Sequence, residues 1–97
     1  MILEAKNLET LVRVMTIRNQ LGLHARAAAK FVKLADAFNA DVTVCKDGQT
    51  VSGLSIMGLL MLTAEMESEV ELTADGPQAA EAMEALCALI EAKFEES

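Results

Sequence analysis

The rhythm of hydrophobic and polar positions changes repeatedly along this chain, and each change marks an element. From Thr10 to Ile17, the residues Leu11, Val12, Val14, Met15 and Ile17 make a run rich in β-formers. The run predicts a strand but does not fix which alternate set points inward. Arg18 to Leu23 read as a loop, with Gly22 available for a backbone conformation that other residues resist. From Ala25 to Phe38 the spacing turns helical. Ala28, Phe31, Ala35 and Phe38 recur on one side, Ala27 and Leu34 widen the stripe, and Lys30, Lys33 and Asp36 fall opposite, with Asn39 suited to stop the helix.

Asp41 to Lys46 and Gln49 to Gly53 flank Asp47-Gly48, a two-residue hairpin signal; Val42 and Val44 share a face, and Gly53 ends the second strand. Ser55 suits the N-cap of a short apolar helix running from Ile56 to Thr63. Ser68 to Ala74 alternates Val70, Leu72 and Ala74 with Glu69, Glu71 and Thr73, the pattern of a half-buried strand. Gly76-Pro77 then opens a last helix, with proline expected at its first position. Met83, Leu86, Cys87, Ile90 and Phe94 form its apolar stripe, and Glu81, Glu84 and Glu91 lie outside it. Residues 1–9 carry no such pattern and read as an N-terminal extension to a domain spanning 10–97. The order β-α-β-β-α-β-α, with its central hairpin and short connections, predicts an α+β fold: a four-stranded antiparallel sheet with three helices on one face.

Composition narrows the function. Ninety-seven residues make one domain, and 53% hydrophobic content supplies its core. A net charge of −7, with three phenylalanines and no tyrosine or tryptophan, argues against nucleic acid, which demands a basic and base-stacking surface. No apolar run is long enough to insert in a membrane, and Glu4 interrupts the start, so a cytoplasmic location is expected. Cys45 and Cys87 lack metal-ligand spacing and read as small core hydrophobes of a reduced compartment, leaving no metal or cofactor implied.

The chemistry concentrates at His24, the only histidine, where the first strand-like run gives way to the first helical one. A helix N-terminus offers unpaired N–H groups and partial positive charge, which favour an anion. Serine, threonine, aspartate or asparagine would cap better, so histidine there points to more than capping. The helix terminus and a nearby guanidinium both disfavour a further positive charge, which leaves the ring a lone pair for nucleophilic attack. Arg26 opposes the helix dipole in the first turn and is the natural partner for phosphoryl oxygens. Taken on its own, Ser55 reads as an ordinary N-cap.

Gly22-Leu23-His24-Ala25-Arg26 and Ser55-Ile56-Met57-Gly58, in this order and at this separation, resemble the two signature segments of the HPr family. Its members are histidine phosphocarriers of the bacterial phosphotransferase system, and the resemblance covers about residues 11 to 94. It implies an open-faced sandwich of four strands and three helices. His24 Nδ1 would accept a phosphoryl group from enzyme I, itself charged by phosphoenolpyruvate, and pass it to a IIA-type protein, with Arg26 stabilising the group. Such a protein is a stoichiometric carrier, expected to be monomeric, rather than a true catalyst. The serine matching Ser55 is in many members a regulatory phosphorylation site, which would add a serine kinase or phosphorylase as a partner. Leu54, Ile56 and Met57 would belong to a partner-docking patch near His24. Three positions depart from the family's habit: Ala27 replaces a proline, Leu54 a lysine, and Glu67 a glycine in the loop before the fourth strand. Two other readings stand beside the carrier. One is a regulatory protein of a nitrogen-type or other sugar-independent branch; the other is an adaptor domain in which His24 is inert.

Overall fold

A computed structural model describes residues 10–96; the expected extension, residues 1–9, and residue 97 lie outside them. The elements are β1 (Leu11–Thr16), α1 (Ala25–Ala35), β2 (Asp41–Lys46), β3 (Gln49–Ser52), α2 (Ile56–Met61), β4 (Glu69–Asp75) and α3 (Ala79–Glu91), followed by a 3₁₀ turn at Lys93–Glu95. The strands form one antiparallel sheet in the order β1-β4-β2-β3. This is the expected α+β open-faced sandwich. One sheet face, with Val42, Val44, Val70, Leu72 and Ala74, is buried together with Ala27, Ala28, Phe31, Met83, Leu86 and Ile90 of α1 and α3. Burial of these apolar side chains is the main force holding the layers together.

The sheet register resolves the ambiguity in β1. Leu11 and Met15 pack toward the core, whereas Val12 and Val14 lie opposite Thr73 and Glu71 and are 55% and 54% exposed on the open face. The same alternation corrects the expectation for Cys45. It lies beside Glu71 and Thr50, half-buried on the open face, so only Cys87 is a core thiol. The hairpin forms as predicted, with Asp47 (φ 50) and Gly48 (φ 83) both left-handed, which matches the twist of the flanking strands.

Element ends differ from the sequence pattern for local reasons. α1 stops at Ala35, not Phe38, because the chain tightens: the Ala37 and Phe38 amides donate to Leu34 and Ala35 carbonyls three residues back. Pro77 lies before the α3 N-cap, Gln78, not at the first helical position. The Gln78 side chain accepts instead from the Asn39 amide at 2.7 Å, tying the start of α3 to the turn before β2. Phe94 is fully buried as its spacing implies, yet it lies beyond α3, in a turn where Lys93, Phe94 and Glu95 are all left-handed (φ 57, 54 and 63). Glu67, where the family favours glycine, also takes a left-handed conformation (φ 73). The turn here is therefore left-handed at a side chain that resists it.

Candidate functional site

The β1–α1 loop is built to deliver one side chain. Ile17 fixes its start by accepting from the Glu67 amide (2.6 Å) and donating to Ser68 (2.9 Å). Gly22 turns left-handed at φ +67, and a Cβ there would come within 2.5 Å of the Ala64 carbonyl oxygen and 2.9 Å of Glu65 Cα. Only glycine meets both demands, and the next amide, Leu23, donates to that same Ala64 oxygen at 2.9 Å. His24 follows as the N-cap of α1, in extended conformation, and its carbonyl accepts the first helical bond, from Ala28 at 2.8 Å. Its Nδ1 accepts from the Arg26 amide at 3.3 Å. Among the described residues the Ala25 and Ala27 amides have no backbone acceptor. Alanine at position 27 thus keeps an N–H that proline would lack, and His24 stands against a first turn of bare donors.

The other ring nitrogen, Nε2, meets the carboxylate of Glu96, 72 residues along the chain. That hydrogen bond holds the Glu96 carboxyl below its ordinary value of 4.5; burial works against the shift, and a bond from Asn19 adds to it. The Asn19 side chain, 1% exposed, donates through Nδ2 to the Gly22 carbonyl (2.6 Å) and lies 3.3 and 3.4 Å from the two Glu96 oxygens. Lys30 on α1 donates to the Phe94 carbonyl at 2.8 Å and lies 3.8 Å from the Glu95 carboxylate.

These groups line an open cleft. Arg18, Arg26, Lys30 and Lys93 border it, four of the chain's eight cationic side chains, with Glu95 and Glu96 opposing them. A chain of net charge −7 has gathered half its cations around its single imidazole. Arg26 is exposed and forms no ion pair among the described residues, so its guanidinium is free for an anion.

Ser55 caps α2, its hydroxyl oxygen accepting from the Gly58 amide at 2.9 Å. Leu54, Ile56 and Met57 are exposed (52%, 41% and 69%) on and just before α2, which packs beside α1, but they do not line the cleft. Its apolar rim is Leu21 and Met66 instead. Sequence reasoning missed these two, and also Asn19, Lys30 and Glu96. No periodicity or motif marks a terminal glutamate as a neighbour of His24. Among the described residues no group of acidic, histidine and cysteine side chains could hold a metal, and no helix is long and apolar enough to cross a membrane.

A small open-faced sandwich with one histidine capping a helix beneath a cluster of cations defines the class: a carrier or binder of anionic groups. The family description "PTS HPr component phosphorylation site" matches residues 11–92. A phosphocarrier protein NPr of Shewanella violacea is 45% identical over 90% of this chain and 96% of its own length. A phosphocarrier protein HPr of Cupriavidus necator is 50% identical over 89% of this chain and 97% of its own. The crystal structure of an HPr from Thermoanaerobacter tengcongensis superposes with a TM-score of 0.86 at 41% identity, covering 90% of this chain and 98% of that one. The chain belongs to the HPr family of phosphocarrier proteins of the phosphotransferase system.

Proposed function

We propose that His24 is the phosphoryl acceptor and that Nδ1 makes the bond. The observation that carries this reading is that Nδ1 faces the first turn of α1, where it accepts from the Arg26 amide while the Ala25 and Ala27 amides have no backbone acceptor among the described residues. The N–P bond to Nδ1 forms as the donor's N–P bond breaks, and that electron pair returns to the donor's ring nitrogen. The arriving oxygens take the Ala25 and Arg26 amides and the Arg26 guanidinium as partners, so negative charge develops where donors already stand. The donor is a phosphohistidine of enzyme I and the acceptor a IIA-type protein, and the relay takes place in the cytoplasm. Leu54, Ile56 and Met57 serve as an adaptable docking surface, methionine suiting contact with more than one partner. Phosphorylation of Ser55 would add nearly two negative charges to that surface while keeping an acceptor at the α2 N-cap. Leu54, in the place of a common lysine, weighs against recognition by a serine kinase of the usual kind.

Incubation with phosphoenolpyruvate and enzyme I tests the reading. The expected product is an acid-labile, base-stable phosphoprotein, and His24→Ala abolishes the label. An unlabelled wild-type chain beside an actively phosphorylated enzyme I would refute the carrier and favour the adaptor. A second reading, a regulatory role in a nitrogen-type branch, is favoured by the 45% likeness to a protein named NPr. Rates of transfer from the sugar-type and nitrogen-type donors, measured side by side, separate the two branches.

A further inference from the structure

We infer that Glu96, held by Asn19, is a positioning residue for His24: it fixes the imidazole proton on Nε2 and so keeps Nδ1 as the nucleophilic nitrogen. The inference rests on the reading of His24 as phosphoryl acceptor. A neutral imidazole has one nitrogen that donates and one that accepts. Here the Arg26 N–H points at Nδ1, which must accept, and the Glu96 carboxylate meets Nε2, which must donate. Both contacts select the same tautomer. A carboxylate orienting a histidine in this way also compensates charge on the ring. Once Nδ1 carries phosphorus and Nε2 keeps its proton, the ring is cationic, and the Glu96 carboxylate lies against the atom bearing that proton.

The contact is built, not incidental. The C-terminal turn runs through three successive left-handed residues, Lys93, Phe94 and Glu95, a conformation that L-residues resist. It is held by Phe94, fully buried, and by Lys30, which grips the Phe94 carbonyl at 2.8 Å. The result directs Glu96 back to the start of α1. Asn19 then fits badly as mere core filling. Its Oδ1 is buried with no partner among the described residues, and its amide nitrogen serves only the Gly22 carbonyl and the Glu96 carboxylate. One side chain thereby joins the loop that carries His24 to the carboxylate that orients it. The depressed Glu96 carboxyl keeps this acceptor ionised throughout the neutral range.

The test compares the full chain with Glu96→Ala and Glu96→Gln, with Glu81→Gln on the exposed face of α3 as the control for lost charge. Nitrogen-15 correlation spectra of the His24 ring, taken without any phosphoryl donor, report the tautomer. Stopped-flow transfer from phosphorylated enzyme I reports the reaction. Wild type and Glu81→Gln are expected to show the single Nε2-protonated form. Glu96→Ala is expected to show a mixture and to transfer about tenfold more slowly, the lower end of what removing a histidine's outer hydrogen-bond partner costs at metal sites. Glu96→Gln, which retains an acceptor without charge, falls between them. An unchanged tautomer in Glu96→Ala, with or without slower transfer, overturns the positioning role, as does a changed tautomer with undiminished transfer. Failure of the carrier reading would show separately, as a wild-type chain that is never phosphorylated.

Discussion

At the scale of single residues, the site divides into a part written in local sequence and a part assembled by the fold. His24 and Arg26 belong to the first. They lie two apart at a strand-to-helix junction, so capping chemistry and helix electrostatics mark them in the local sequence. Asn19 and Glu96 belong to the second, because nothing in a glutamate near the chain's end distinguishes it from Glu91 or Glu95 until the turn at Phe94 is formed. Arg26 is the residue whose role is most directly separable from the fold. Its side chain is exposed and unpaired among the described residues, so Arg26→Ala should leave the melting temperature within a degree or two of wild type. Removal of a guanidinium from the arriving phosphoryl oxygens should slow transfer about tenfold to a hundredfold, the range of roughly 1.5–3 kcal/mol for a charge-assisted hydrogen bond. Unchanged single-turnover kinetics would take Arg26 out of the site.

At the scale of elements, the sequence pattern marks every strand and α-helix but not the 3₁₀ turn at Lys93–Glu95, and its errors lie at the ends. The helical stripe predicts that Phe38 and Phe94 face the core, but α1 and α3 end before reaching them, at Ala35 and Glu91. Burial of a side chain and helical backbone are separate facts, and the pattern of apolar residues reports only the first. Turns were legible where glycine marks them, as at Gly22 and Gly48, and obscure where an ordinary residue takes the left-handed role. Glu67 is such a case. Its amide still bonds Ile17, its side chain is exposed, and φ is 73. Glu67→Gly should therefore stabilise the protein by about 0.5–1 kcal/mol, the difference between the left-handed cost to an L-residue and the added chain entropy of glycine. In thermal unfolding this is a rise of a few degrees. Glu67→Ala keeps the Cβ and should show no such rise; equal gains from both would mean that relief of acidic crowding, not of backbone strain, is responsible.

At the scale of the whole molecule, two kinds of surface stand on neighbouring elements. The cleft concentrates cations in an otherwise acidic chain, and α2 beside α1 exposes Leu54, Ile56, Met57 and Met61. A carrier needs both: fixed charge for the group it carries, and an apolar surface loose enough to release each partner quickly. Ser55 lies within the second surface and holds the start of α2, which makes it a point where charge can be added without loosening the fold. Aspartate caps a helix about as well as serine, so Ser55→Asp should change stability by less than about 0.5 kcal/mol. In the proposed docking patch it places a carboxylate among apolar side chains that must lose water when a partner binds, and it should weaken binding of enzyme I roughly threefold to tenfold. Titration calorimetry, beside a Ser55→Ala control that loses the cap but adds no charge, distinguishes the two effects. If Ser55→Asp binds both enzyme I and a IIA-type acceptor as wild type does, the partners dock elsewhere, and the rim formed by Leu21 and Met66 becomes the surface to mutate next.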